Sequence, residues 1–152
     1  MTSFAQSIRY QVENGIATIT FDRPDARNAF DQAMAEAFLA ALKTAEKDET
    51  VRVVVLTGRG SAFCAGQDIH ELSAKERELG AQAAGDELRL RFAPILMRIR
   101  AMGQPVIASI DGVATGAGLG IALVSDLRIA TESASFVGAP HAIGLIPGAG
   151  IT

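Results

Sequence analysis

Residues 51–69 read VRVVVLTGRGSAFCAGQDI, and this stretch predicts both a class of fold and a place for a ligand. The run 51–57 is apolar and β-branched, which is typical of a strand buried on both faces. The segment 58–67 is rich in small residues and is predicted to be a loop. Because such a loop carries few side chains, a ligand can approach its main-chain N–H groups closely.

A second glycine-rich turn, Gly116-Ala117-Gly118-Leu119-Gly120, follows another apolar strand predicted over 105–110. Open α/β sheets bind ligands at the carboxyl ends of their strands. The turn also opens a helix predicted over 116–125, whose N-terminal N–H groups and dipole favour negative charge. The two turns together predict two N–H donors for one developing oxyanion. Tight helix–strand packing is the structural alternative for either turn.

The rest of the chain predicts a hairpin followed by repeated strand–helix units, which indicates one α/β domain over residues 1–152. Asn14-Gly15 suits the hairpin turn, and Asp31 is predicted to cap the first helix. Pro94 is expected to kink or restart a later amphipathic helix. The remaining predicted elements are strands over 8–13, 16–21, 126–130 and 136–137, helices ending near residue 48 and spanning 88–102, and a short helix with a mobile segment over 69–85.

Composition excludes several classes of protein. Apolar residues make up 49% and charged residues 20% of the chain, with a net charge of −3. We expect no nucleic-acid partner, because there is no Lys/Arg run and no set of stacking aromatics. Arginines 89, 91, 98 and 100 are predicted to form the solvated face of a helix, with help for an anionic ligand as the alternative.

We expect a cytoplasmic protein without a membrane partner. No basic and apolar leader is evident at the start, and the apolar stretches are too short and too rich in glycine to cross a bilayer. The single cysteine, Cys64, fits a reducing compartment.

Side chains suited to catalysis are few. Cys64 is interpreted as a small buried residue rather than a nucleophile. His141 follows Ala139-Pro140 in a small-residue loop and is the candidate base, with an ordinary loop histidine as the alternative. The acids Asp68, Asp111 and Asp126 are interpreted as caps or turn residues. The 116–120 turn lacks the G-x-G-x-x-G spacing and the following acidic residue of a dinucleotide site, which disfavours NAD(P) binding.

The motifs together resemble the enoyl-CoA hydratase/isomerase family, also called the crotonase family. The resemblance covers nearly the whole chain, in order. The matching segments are Arg23-Pro24 with Arg27-Asn28-Ala29, 54–58, 62–69, 104–112, Gly116-Ala117-Gly118, Ser125-Asp126 and 146–150.

The resemblance implies an α/β fold, a crotonase-like spiral of β-β-α units with a mainly parallel core sheet. It also implies that the family's C-terminal helices are missing from this truncated chain, and that the full-length protein is a homo-oligomer, trimer or hexamer. The expected substrate is an acyl-CoA or enoyl-CoA thioester of fatty acid metabolism, with no further cofactor and no metal.

The resemblance places the two oxyanion-hole N–H groups on Gln67 and Ala117. It places Arg27 near the CoA phosphates. The other positions that it implies for substrate binding are Ala65, Gly66, Asp68, Ile69, Val113, Gly116 and Pro140.

The chain departs from the family at the catalytic acids. The two glutamates of the hydratases fall on Gly120 and Pro140, neither of which can transfer a proton. The nucleophilic aspartate of a dehalogenase-like branch falls on Gly148. The expected function is therefore enolate stabilisation of the hydratase/isomerase type (lyase or isomerase), with His141 as a hypothetical proton-transfer group. A non-catalytic acyl-CoA-binding pseudoenzyme or an inactive fragment is the alternative.

Overall fold

The computed structural model describes residues 6–80, 82–138 and 149. Eight strands and five α-helices lie in these ranges. The strands are β1 (Ile8–Glu13), β2 (Ile16–Phe21), β3 (Val53–Gly58), β4 (Ala62–Cys64), β5 (Val106–Ile110), β6 (Val113–Thr115), β7 (Leu127–Ala130) and β8 (Ser135–Val137). The helices are α1 (Gln32–Lys47), α2 (Ile69–Leu79), α3 (Gln82–Glu87), α4 (Ala93–Ala101) and α5 (Ala117–Val124).

The first third of the chain folds as its sequence predicts. Strands β1 and β2 form an antiparallel hairpin, and Asn14 and Gly15 both have positive φ at its turn. Helix α1 is capped by Asp31, whose carboxylate accepts a hydrogen bond from the N–H of Met34 at 2.8 Å. One face of α1, from Met34 to Ala45, is buried against the sheet.

The strands form two sheets, and the chain alternates between them. The larger sheet has the order β1-β2-β3-β5-β7, and all its pairs except the hairpin are parallel. The smaller sheet has the order β4-β6-β8 and is parallel throughout. From β3 onward each strand of the larger sheet is followed directly by a short strand of the smaller sheet, so that β3-β4-α2 and β5-β6-α5 are successive strand–strand–helix turns of one spiral. The expected β-β-α spiral with a mainly parallel core is confirmed.

Three details of the prediction are wrong. The segment 58–67 contains the short strand β4, because its residues pair with β6 of the second sheet, a long-range contact that no local pattern carries. The segment after α2 forms the helix α3 rather than a mobile stretch. Strand β3 is fully buried on only one face, where Val54 and Leu56 lie, while Val53 and Val55 are half-buried.

The amphipathic segment after α3 restarts at its proline, as predicted. Residues Leu88–Phe92 form a π-helical turn, and the N–H of Ala93 donates to the carbonyl of Leu88, five residues earlier. Helix α4 follows with Pro94 in its first turn. Since proline has no N–H and its ring crowds the preceding turn, a wider turn accommodates it without breaking the helix.

Five buried phenylalanines join the hairpin, α1 and the two sheets. The ring of Phe21 lies edge-on to three others, with centroids 5.1–5.4 Å apart. Phe30 extends this cluster to Phe92. Edge-to-face packing stabilises such pairs beyond their buried area. Phe30 and Phe63 in this cluster flank the loop at 65–68 and anchor it to the core.

Helix α5 packs against β4 at backbone distance. A Cβ on Gly118 would come 2.4 Å from the carbonyl oxygen of Cys64 and 2.6 Å from its Cβ. Only glycine fits at this contact, because no real Cβ approaches a backbone atom so closely. The contact places the start of α5 beside the residues that follow β4.

Replacing Gly118 by alanine should force α5 away from β4. We expect Gly118→Ala to lower the free energy of unfolding by about 2 kcal/mol or more, as overpacking in a rigid core does. Gly85→Ala in α3 is the matched control, because a Cβ there meets nothing within 4 Å. It should stabilise the chain by up to about 1 kcal/mol through helix propensity. Urea unfolding measures the free energy of unfolding of both variants, and equal changes in the two would contradict this packing.

Candidate active site

The first loop, residues 65–68, is held by backbone hydrogen bonds that leave one of its N–H groups without an acceptor among the described residues. The N–H of Ala65 donates to the carbonyl of Arg27 at 3.0 Å. Phe30 donates to the carbonyl of Gly66 at 2.7 Å and accepts from the N–H of Asp68 at 2.9 Å. Phe30 therefore brackets Gln67 in a parallel bridge, and the N–H of Gln67 is directed away from it. Within the described ranges this N–H has no acceptor.

The second turn opens α5. Gly116 has φ 52° and ψ −131°, a conformation that glycine adopts without the strain of a Cβ. Ala117 is the first residue of the helix, so its N–H has no carbonyl four residues earlier to bond. The first helical bond runs instead from the N–H of Gly120 to the carbonyl of Gly116 at 3.0 Å. In the part of the chain that the structure describes, Ala117 N–H has no acceptor.

The two turns touch backbone to backbone. A Cβ on Gly66 would lie 2.9 Å from the carbonyl oxygen of Thr115 and 3.1 Å from the nitrogen of Ala117. The reason is topological, since the turns follow β4 and β6, which are parallel neighbours. The sequence placed the turns directly after the long apolar strands, and this detail is wrong. Each long strand is followed by a short strand of the second sheet before its turn.

Buried Asn28 holds the segment that leads into the first loop, a role that the sequence did not predict. Its side chain donates to the carbonyls of Ala62 at 2.7 Å and Arg59 at 3.0 Å, and accepts from the N–H of Arg23 at 2.9 Å. Asn28 has no exposed surface and a φ of 57°. A buried side chain with every bond satisfied fixes its partners firmly. The available signal was the Arg27-Asn28-Ala29 motif itself.

Arg23 adds a second support on the same side. Its guanidinium donates to the carbonyl of Ala29 and to the carboxylate of Asp68, the latter at 3.3 Å. It also lies 3.3 Å from the carboxylate of Asp31. Arg23 thus ties the caps of α1 and α2 together on the two sides of the loop.

Cys64 links the two turns and is unsuited to nucleophilic chemistry. Its sulfur accepts the N–H of Gly66 at 3.3 Å, and its side chain packs against Gly118. Burial raises the pKa of the Cys64 thiol to about 12, although the hydrogen bond from Gly66 acts in the opposite direction. The interpretation of Cys64 as a small buried residue is confirmed.

Each of the three acids accepts hydrogen bonds within the fold, and of the predicted cap and turn roles the cap at Asp68 is confirmed. Asp68 caps α2 by accepting from main-chain N–H groups of its first turn. Asp126 accepts from the N–H of Val106 at 2.8 Å. Asp111 accepts from the hydroxyl of Thr131 at 2.9 Å. Among residues 6–80 and 82–138, no three His, Cys, Asp or Glu side chains are grouped as a metal site would require.

Four charged side chains beside the first loop form a partly buried cluster, here called the four-charge cluster: Glu71, Lys75, Glu87 and Arg91. Burial by itself raises the pKa of Glu71, but hydrogen bonds from Arg91, Lys75 and the N–H of Gln32 outweigh it and lower the pKa to about 2. Arg91 is only 9% exposed, so its expected place on a solvated face is wrong. Arg89 and Arg98 pair instead with carboxylates nearer the surface.

The structure brings five of the ten predicted substrate-binding residues together at the carboxyl end of the small sheet. Ala65, Gly66 and Gln67 form the first turn, and Gly116 and Ala117 form the second.

Of the other predicted site residues, those in the described ranges lie next to these turns in the chain or bond to them. Arg27 is exposed and makes no ion pair with any residue of the described ranges, while Ile69 is exposed and Val113 is half-buried. Gly120 is buried inside α5. Pro140, His141 and Gly148 lie outside the described residues.

The architecture is that of the crotonase fold. The crystal structure of an enoyl-CoA hydratase from Polaromonas superposes with a TM-score of 0.87 at 34% identity. The alignment covers 94% of this chain and 55% of that one.

Sequence comparison identifies the family. The family model described as enoyl-CoA hydratase/isomerase matches residues 11–152. A Rhodobacter capsulatus protein named "Probable enoyl-CoA hydratase" is 42% identical over 96% of this chain and 54% of its own length. The 1,2-epoxyphenylacetyl-CoA isomerase of Escherichia coli is 39% identical over 93% of this chain and 53% of its own. The chain belongs to the enoyl-CoA hydratase/isomerase family, and it spans about half the length of these relatives.

Within the described ranges no helix combines the length and hydrophobicity needed to cross a membrane.

The contribution of the contact between the turns to stability can be measured separately from the cost of a positive φ at Gly66. Gly66 and Gly80 have φ of 91° and 81°, but a Cβ on Gly80 meets nothing within 4 Å. Both Gly66→Ala and Gly80→Ala should lose about 1–2 kcal/mol of stability through the positive φ. Gly66→Ala should lose about 1–3 kcal/mol more, because its Cβ collides with the second turn. Urea unfolding compares them, and similar losses would refute the close approach.

Proposed function

We propose that this chain binds the carbonyl of an acyl-CoA or enoyl-CoA thioester between the N–H groups of Gln67 and Ala117 and stabilises the enolate formed there. The observation that carries the proposal is the contact of the two turns, each of which has an N–H without an acceptor in the described ranges. Membership of the enoyl-CoA hydratase/isomerase family supports the same chemistry.

The surroundings of Ala117 favour a developing negative charge. Its N–H lies at the N-terminus of α5, where the helix dipole presents partial positive charge. The helix is strongly apolar, and six of its eight residues are buried. Hydrogen bonds to charge are stronger in such surroundings than in water, and preorganised donors need no rearrangement during reaction.

The CoA portion would run along the first loop. Arg27 is exposed, and its carbonyl accepts the N–H of Ala65. A phosphate bound beside the loop would meet the guanidinium of Arg27, which pairs with no carboxylate of the described ranges. The segment 65–69 would line the adenine and pantetheine path, and we propose Val113, Gly116 and Pro140 as further substrate-binding positions. No cofactor or metal enters the proposed chemistry.

Proton transfer is the open part of the reaction. Gly120 offers no carboxylate at the first of the family's two glutamate positions, and the second is Pro140. We propose His141, the neighbour of Pro140, as the proton-transfer group. The assignment is wrong if His141→Ala leaves turnover unchanged in an active chain.

Non-catalytic acyl-CoA binding is the second candidate function, and the missing carboxylate at Gly120 favours it. Calorimetry with acetyl-CoA measures binding, and the loss of enoyl absorbance of crotonyl-CoA measures hydration. Binding without turnover would refute hydration and favour the non-catalytic function. A chain that binds neither ester would refute the proposal, and NAD(P) binding in its place would revive the dinucleotide interpretation.

The oxyanion donor can be removed by one substitution that the helix tolerates. Ala117→Pro deletes the N–H, and proline is favoured at the first position of a helix. We expect turnover to fall about 100- to 1000-fold, as when one oxyanion donor is lost elsewhere.

If turnover is absent, the absorbance of a bound ligand can test the oxyanion donor instead. An aromatic enoyl-CoA with an electron-donating para substituent absorbs at longer wavelength when its carbonyl accepts hydrogen bonds. Ala117→Pro should reduce this shift while circular dichroism and urea unfolding remain close to those of the unsubstituted chain. An unchanged shift in a folded variant would exclude Ala117 as a donor.

We further propose that the full-length protein is a cytoplasmic homo-oligomer, trimer or hexamer, active in fatty acid metabolism. The exposed apolar side chains of β7 and β8, such as Leu127, Ile129 and Phe136, support association of this edge with further protein.

A further inference from the structure

The four-charge cluster fixes the position of one carboxylate, that of Glu87. Glu87 accepts from Lys75 at 2.7 Å through Oε1 and from Arg91 at 2.8 Å through Oε2. Its side chain is only 12% exposed. Charge-assisted bonds in a partly buried site are short and resist reorientation. The carboxylate of Glu87 is therefore a fixed acceptor.

Both cations are also held from the opposite side. Glu71 accepts from Lys75 at 2.8 Å and from Arg91 at 2.6 Å. Two positive and two negative charges balance, so the cluster needs no counter-ion. Glu71 further accepts the N–H of Gln32 at 2.9 Å, which anchors the cluster to the start of α1.

One hydrogen bond leads from this cluster to the proposed oxyanion hole. The side-chain amide of Gln67 donates to Oε2 of Glu87 at 3.3 Å. Gln67 is thus held at two points, by the Phe30 bridge on its neighbours and by Glu87 on its side chain. The preceding residue, Gly66, has a φ of 91°, a conformation that glycine adopts but does not itself enforce, so contacts from outside fix this peptide.

We infer that Glu87 is a positioning residue, which aims the N–H of Gln67 by holding its side chain. The inference rests on the proposed function for its effect on a ligand, but its structural part does not. Glu87 is a poor candidate for the proton-transfer group, because both its oxygens are engaged by cations. The role does not follow from the family motifs, since it depends on this chain's having Gln at 67 and Glu at 87.

The test uses two variants that act on the same bond from opposite ends, one by removing the donor and one by removing the charge of the acceptor. Gln67→Met removes the donor but keeps the backbone N–H and the side-chain length. Glu87→Gln removes the charge that Lys75 and Arg91 hold. Glu46→Gln is the matched control, because it breaks the 2.6 Å ion pair between Glu46 and Arg98 of α4, outside the cluster.

The first measurement needs no ligand. Amide hydrogen exchange of Phe30 and Asp68 reports opening of the loop, because their N–H groups form the bonds on either side of Gln67. We expect exchange to be about tenfold faster in Gln67→Met and Glu87→Gln, the effect of losing a hydrogen bond to a charged group. The double variant should be no faster than the worse single one, and Glu46→Gln should leave these amides unchanged.

The second measurement concerns the donor itself. The wavelength shift of the bound aromatic enoyl-CoA should decrease in both variants while affinity changes less, since the CoA contacts remain. If the unsubstituted chain gives no shift, the proposed function fails, and the exchange data still decide whether Glu87 holds the loop. If exchange is unchanged, or if it accelerates while the shift stays the same, the positioning role is refuted. Should Glu87→Gln fail to fold, Gln67→Met alone decides.

Discussion

The approach of backbone to backbone between two sheet-end turns is the contact on which the rest of this structure depends. Gly66 lies against Thr115 and Ala117, and Gly118 lies against Cys64, at distances that exclude any Cβ. These contacts close the small sheet onto the start of α5. The pairing of β4 with β6 brings the two N–H groups to the same end of the small sheet, and these contacts hold them at a common point.

A site made of backbone has to be stiffened from outside. The groups that line the site are main-chain groups. Side chains outside the site therefore have to hold the loop in place. Asn28 bonds to carbonyls of the segment before the loop, and Arg23 joins the caps of α1 and α2. Glu87 accepts a hydrogen bond from the side chain of Gln67. All three are largely buried or bonded to charge, which is where hydrogen bonds are most restrictive. Preorganised donors of this kind need not rearrange when charge develops.

Prediction succeeded where the signal was local. The Asn14-Gly15 turn, the Asp31 cap and the Pro94 restart each depend on neighbouring residues, and each was located correctly. Strand β4 was missed because its three residues form a strand only by pairing with β6, far along the chain. The burial of Arg91 was missed because helical periodicity cannot show that carboxylates from α2 and α3 face it.

The sequence by itself determined the class of fold, the family and the two glycine turns, because these follow from local patterns and ordered motifs. Only the tertiary structure decided that the turns meet, that Cys64 lies between them and that Glu87 reaches Gln67. The physical reason is that these contacts join residues 20 to 54 positions apart in the chain. Their geometry is set by the alternation of the chain between two parallel sheets, and no single segment encodes it.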